Sequence, residues 1–196
     1  MRVSIPVVAP CFFWFLTVAF GQPLSFGVVG GAGLTQDFQN QRVGNTIAYS
    51  TPKRWIAGGM VEVRLPLHIS VEVDGLYHEL EFTDAFIEPN GTLNSVSPAA
   101  VVTWEFPVLA KYRFSFPLVK PFVEVGPSFR SSGNLNSTLP SSHGFTAGMG
   151  VEAHVRKLRI APQIRYTRWA RDRVSPFSFA PSTASDQAEL LVAISF

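Results

Sequence analysis

Cysteine is nearly absent from this sequence, and charge is scarce. The single thiol, Cys11, lies in an apolar N-terminal run, so the rest of the chain has no means of forming disulfides, thiolate nucleophiles or thiolate metal sites. Charged residues make up 15% of the chain, against roughly 25% in soluble domains. Sixteen basic and fourteen acidic residues leave a net charge of +2 with no basic run, which argues against nucleic acid as a partner. Past the N-terminus no stretch reaches the ~20 apolar residues of a membrane-spanning helix. Helical periodicity is missing there too, and 15 Gly with 15 Pro disfavour helices generally.

What is present begins with an address. Met1 and Arg2 precede an apolar run from Val7 to Phe20, and Ala19-Phe20-Gly21 meets Gln22-Pro23. A charged start, an apolar centre and a small-x-small ending predict a secretory signal peptide over residues 1–21. One β-barrel domain is expected over residues 22–196.

The remainder alternates with period two, the strand period. Phe145, Ala147, Met149, Val151, Ala153 and Val155 oppose Thr146, Gly148, Gly150, Glu152, His154 and Arg156. The same split runs through Trp55–Leu65, Trp104–Phe114 and Ala188–Phe196, and less regular runs cover Leu24–Leu34, Leu67–Phe82, Pro121–Arg130 and Leu158–Ala170. Eight antiparallel up-and-down strands are predicted. Their connections alternate long and short, with long loops that present Thr35–Arg54, Ser95–Val102, Ser131–His143 and Arg171–Asp186, and short turns at Pro66, Pro117 and Lys157. Outer-membrane barrels sort their loops by end in this way. Aromatics gather at strand ends: Trp55, Trp104, Phe129 and Trp169 beside the long loops, Tyr112, Phe114 and Phe122 at the other end. Two such girdles mark membrane interfaces.

The run Trp104-Glu105-Phe106-Pro107-Val108-Leu109-Ala110-Lys111-Tyr112-Arg113-Phe114, with Lys120-Pro121-Phe122-Val123-Glu124-Val125-Gly126-Pro127, resembles the middle strands of the outer-membrane β-barrel family related to OmpA and OmpX. Arg165-Tyr166-Thr167-Arg168-Trp169 and the closing Ala188–Phe196 segment resemble its last two strands. The resemblance implies a bacterial outer-membrane location, and eight strands enclose a space that side chains largely fill. The resemblance also implies an assembly signal at Leu190, Val192, Ile194 and Phe196, read by the barrel assembly machinery, although an aromatic is common where Ile194 stands. No periplasmic domain is expected after Phe196.

With the apolar sets facing lipid, the lumen is expected to hold Glu62, Arg64, Glu72, Asp74, Glu105, Lys111, Arg113, Glu124, Arg130, Glu152, Arg156, Arg159, Arg165 and Glu189. Seven acids and seven bases in a narrow space predict a paired network, with Arg113–Glu124 and Arg165–Glu189 as candidate pairs. His68 and Ser70, two apart on one strand, have the spacing of a Ser-His mechanism but lie on the lumen side near a short turn, away from lipid substrate. His78, His143 and His154 are scattered singly, which predicts no metal site. Gly27–Gly33 has the glycines of a dinucleotide loop without the helix that must follow. No cofactor and no catalysis are expected. The leading expectation is a monomeric structural or surface-interaction barrel, touching outer-membrane lipid and presenting its loops to an extracellular protein or glycan. The alternatives are a small gated channel, a lipid-modifying enzyme, and a secreted lipocalin-like barrel with its faces reversed.

Overall fold

Period-two alternation with Val, Ile and aromatic residues favours long strands, and in the computed structural model these close on one another. The structure describes residues 24–43, 45–50, 55–88, 92–133, 138–174 and 182–196; the signal-peptide expectation and Cys11 lie outside them. Twelve strands run in chain order: β1 (Leu24–Gly33), β2 (Gln41–Val43), β3 (Thr46–Ser50), β4 (Trp55–Arg64), β5 (Ile69–Ile87), β6 (Leu93–Arg113), β7 (Val119–Ser132), β8 (Thr138–Leu139), β9 (His143–Val155), β10 (Leu158–Trp169), β11 (Arg173–Val174) and β12 (Asp186–Ser195). The order β5-β4-β1-β12-β10-β9-β7-β6, completed by the β5–β6 pairing, is a closed eight-stranded antiparallel barrel. Closure leaves no free sheet edge around the wall. Strand β3 extends the sheet beyond the rim by pairing with β5, β2 pairs in turn with β3, and β8 pairs with β11.

Two barrel strands exceed their sequence-based bounds. β5 continues to Ile87 where Phe82 was the expected end, and β6 begins at Leu93, so the segment Ser95–Val102 expected in a loop is strand, paired with β5 from Asp84↔Ser97 to Glu79↔Val102. This hairpin rises past the apolar band. There the buried β5 positions pass from Leu80 to Thr83 and Ala85 while Phe86 and Val96 are exposed, so the hydrophobic alternation that marks the wall is lost while the backbone ladder continues.

Side chains sort by face as the alternation requires. Phe145, Met149, Val155 and Ile164 are 56%, 65%, 54% and 52% exposed on the outer surface, while Thr146, Glu152, Gln163 and Arg165 at alternate positions point into the lumen. The inner face is mixed, because Val29, Ile56, Met60, Leu76, Phe122, Ala161, Leu191 and Ala193 form an apolar cluster among buried charges. A lipocalin-like arrangement needs an apolar interior to receive a ligand; here the charges are inside and the apolar band outside, so the faces are not reversed.

The short turns close one end. Leu67 and His68 both adopt φ 65° and Arg156 φ 59°, the left-handed conformation that tight turns use. At the seam where the first and last strands meet, Gly31 faces Leu191. A β-carbon on Gly31 would strike the Leu190 carbonyl and lie 2.8 Å from Leu191 Cα. Gly31, like Gly27 four residues before it, thus serves close strand approach. Gly31→Val is expected to lower barrel stability by about 1–3 kcal/mol through overpacking, measured as a lower urea midpoint for loss of the compact species on gels; an unchanged midpoint would show that the seam yields freely.

Candidate functional site

The lumen is stacked in three polar layers, each assembled from strands distant in sequence. Nearest the short turns, Arg113 on β6 donates from Nε to Glu152 Oε2 at 2.9 Å, from Nη1 to Ser70 Oγ at 2.7 Å, and from Nη2 to Glu62 Oε1. Arg159 on β10 donates to the other oxygen of Glu62 at 3.0 Å and lies 3.8 Å from Glu152. Arg64 is half-buried beside them, on the same inner face as Glu62.

The middle layer centres on Arg165, 1% exposed. Its Nε donates to Glu124 Oε1 at 2.6 Å, Nη1 to Asp74 Oδ2 at 2.5 Å and Nη2 to Glu72 Oε1 at 2.7 Å. Lys111 donates to Glu72 and lies 3.4 Å from Glu124 Oε2. Glycine makes room for this layer: a β-carbon on Gly148 would stand 2.8 Å from Glu124 Oε1 and 3.1 Å from Arg165 Cγ. The planar guanidinium is suited to such a site because its fixed fork of donors matches several carboxylates at once.

Toward the long loops a third layer gathers His78, Glu105, Glu189 and Gln187. Gln187 Nε2 donates to Glu189 and to both oxygens of Glu105 at 3.3 and 3.4 Å, and Gln187 Oε1 accepts from Trp169 Nε1 at 2.6 Å. The Arg130 guanidinium lies 4.3 Å over the Trp169 ring and donates to Ser141 and Thr183. Above this layer sits a cap of loop residues. Phe38 bridges to Thr183, Asp37 O accepts from Ala184 N at 2.7 Å, and Asp172 accepts from Ser141 N and Thr183 N at 3.0 and 2.6 Å. Asp37 turns its carboxylate down onto His78, with Oδ1 3.6 Å from Nε2. Burial pushes the Asp37 carboxyl up to about 6, against the opposing pull of His78.

Most residues expected in the lumen lie there: Glu62, Glu72, Asp74, Glu105, Lys111, Arg113, Glu124, Arg130, Glu152, Arg159, Arg165 and Glu189 are buried. Arg156 is the exception, exposed in the β9–β10 turn because the strand ends at Val155. The pairs differ as well. Lys111, not Arg113, is the register partner of Glu124, and Arg113 reaches across the lumen to Glu62 and Glu152. Arg165 is in register with Glu189 but spends its three donors on Glu72, Asp74 and Glu124.

Two aromatics expected in the girdles point inward. Trp169 is 3% exposed and Phe122 1%, the latter with the Lys111 ammonium 4.4 Å over its ring. Their strand parity decides this, since Trp169 alternates with outward Arg168 and shares its face with Arg165. The others face outward: Trp55, Trp104 and Phe129 toward the long loops, joined by Tyr77, which stacks on Trp55 at 5.2 Å and meets Trp104 edge-on at 5.6 Å, and Tyr112 against Phe114 at the opposite end, 5.1 Å apart. Leu190, Val192, Ile194 and Phe196 share the outer face, and Phe196 N donates to Phe26 O at 3.1 Å, tying the last residue to the first strand.

No protein-family model matches the sequence, and no curated protein matches it. Among solved structures, the chain aligns with Neisserial surface protein A at a TM-score of 0.51 and 14% identity, over 88% of this chain and 94% of that one. The two share a fold. The N-terminal β-barrel domain of Pseudomonas aeruginosa OprF aligns at a TM-score of 0.45 and 12% identity, over 89% of this chain and 99% of that one.

The Ser-His pairing does not form. Strand β5 begins only at Ile69, which leaves His68 in the turn, where its Nε2 meets Ser115 Oγ at 2.9 Å, while Ser70 is taken by Arg113. His78 fares otherwise: folding brings it to two carboxylates from β6 and β12, a meeting that separations of 27 and 111 residues conceal in the sequence.

Proposed function

We propose that the protein is an integral bacterial outer-membrane barrel with a structural or surface-interaction role, without catalytic activity, related in kind to the OmpA and OmpX barrels. One observation carries this reading: an outer band of exposed apolar side chains, bounded by outward-facing aromatics at both ends, surrounds a lumen packed with charge. Such a band is costly in water and stable in hydrocarbon, where a closed ladder leaves no backbone group unpaired. The short turns then face the periplasm and the β2–β3 and β5–β6 extensions stand outside the cell, available to an extracellular protein or glycan. The three lumen layers interlock across the bore, which supports a scaffold over a solute pore. Lipid surrounds the monomer, and the outward row Leu190, Val192, Ile194 and Phe196 is the segment offered to the assembly machinery.

The deciding experiment is detergent extraction of the membrane fraction, followed by gel migration of unboiled and boiled samples. A membrane-held species whose mobility changes on boiling is expected, with no steady conductance in planar bilayers. Recovery as a soluble protein without a mobility shift would overturn the reading.

A further inference from the structure

The layer nearest the long loops holds more acid than its own cations balance. Glu105, Glu189 and Asp37 share it with His78 and Arg130, and the donors of Arg130 go to Ser141 and Thr183. Imidazole and carboxylate ligand atoms of His78, Glu105 and Glu189 all lie within 4.8 Å of one another, and all three residues are buried. His78 Nδ1 has no hydrogen-bond partner among the described residues, although His78 is 1% exposed. It stands 3.8 Å from Glu105 Oε1, too far for a hydrogen bond. Two ligand atoms about 2.1 Å from one tetrahedral ion would be roughly 3.4 Å apart, so the His78–Glu105 pair is close to coordination spacing and the wider members of the set, within 4.8 Å, must draw in by up to about 1.4 Å. Thr103, in register with His78, also buries a hydroxyl without a partner.

The opposite edge of the imidazole is organised to match. His78 Nε2 faces Asp37 Oδ1 at 3.6 Å, and Asp37 is itself held by the loop cap, its N donating to Ser50 Oγ at 3.2 Å. At 3.6 Å the Asp37 carboxylate is beyond hydrogen-bond reach of the ring; closing by a few tenths of an ångström as metal binds would let it accept from Nε2 and leave Nδ1 to the metal. Gln187, donating to Glu189 and at 3.4 and 3.3 Å to both oxygens of Glu105, holds the two carboxylates side by side.

We propose that His78, Glu105 and Glu189 bind a single divalent transition-metal cation of the Zn2+ class, with Asp37 orienting the imidazole. One nitrogen and two carboxylate oxygens suit Zn2+ better than Ca2+ or Mg2+, which favour all-oxygen cages. The site joins β5 and β6 to β12 across the bore, so the ion clamps the mouth beneath the loop cap. It lies at the long-loop end of the bore, directly beneath Asp37 and the residues that hold it.

The test uses untagged full-length protein produced in a Gram-negative host, purified in detergent and stripped of metal, with the boiling-dependent gel shift recorded first to establish the folded barrel independently of any ion. Titration with Zn2+ is expected to give one site per chain and a raised urea midpoint, with Ca2+ and Mg2+ at the same concentration giving neither. His78→Gln and Glu105→Gln should abolish the site. Asp37→Asn should weaken it by roughly 10–100-fold. X-ray absorption at the zinc edge of the wild-type protein provides a readout that does not depend on any variant folding, and one imidazole among oxygen ligands is expected. No Zn2+ binding by the folded wild type, unchanged affinity in folded His78→Gln, or a spectrum with two or more imidazoles would overturn the proposal.

Discussion

Replacing Arg165 with alanine is expected to destabilise the barrel by about 3–5 kcal/mol, the range found when one partner of a fully buried ion pair is removed. The guanidinium lies among Glu124, Asp74 and Glu72 at 2.6, 2.5 and 2.7 Å. Its loss leaves Lys111 as the one cation among the middle layer's named residues, facing three carboxylates where water cannot readily replace the missing donors. The readout is the urea midpoint for loss of the fast-migrating gel species in lipid vesicles. A triple variant, Arg165→Met with Asp74→Asn and Glu124→Gln, keeps the Lys111–Glu72 contact and removes the stranded charge. It should recover most of the lost stability, because a buried ion pair contributes little beyond the desolvation it offsets. If Arg165→Ala unfolds at the wild-type midpoint, the central arginine is not holding the wall together.

How far the fold could be read in advance follows from where lipid-facing and lumen-facing environments differ. Along Phe145–Val155 the contrast is sharp, so strand and face follow from alternation, while the bounds miss by one or two residues because the strand runs from His143 to Val155 and leaves Arg156 in the turn. Beyond Phe82 the buried positions go to Thr83 and Ala85 and the facing residues Asn94–Pro98 are exposed, so the contrast fades and strand is indistinguishable from loop until β5 and β6 are seen to pair. The lumen residues follow from parity alone, which is why Glu72, Glu124 and Arg165 were legible as inward. Their partners were not. Strands tilt in a closed barrel, so Arg113 meets Glu62 and Glu152 across the bore instead of Glu124 on the neighbouring strand.

Trp169 shows a second limit. Composition and position at a strand end suggest an interfacial ring, but the residue has the parity of Arg165, and Gln187 supplies the acceptor its indole N–H needs inside. The meeting of His78 with Glu105 and Glu189 was hidden for a related reason: it depends on β12 closing against β1, a contact between the two ends of the chain that no local pattern encodes.

Ile164→Arg is expected to cost about 2 kcal/mol or more in lipid vesicles, toward the penalty for arginine deep on the lipid face of a barrel. Ile164 is 52% exposed on β10, between the outward-facing Leu158 and Tyr166 of the same strand. Ser97→Arg is the matched control. Ser97 is exposed and pairs with Asp84 on the rising β5–β6 hairpin, beyond the Tyr77–Trp104 aromatic level. An arginine there stays in water beside a carboxylate, and its effect should remain within about 0.5 kcal/mol, as for ordinary surface substitutions. The contrast isolates the solvent. A barrel surrounded by water would accept a charge at either position, whereas one surrounded by hydrocarbon must bend the new side chain toward an interface or thin the bilayer around it. Equal midpoints for the two variants would therefore place water, not lipid, against the outer face, and the outer-membrane assignment would fall with them.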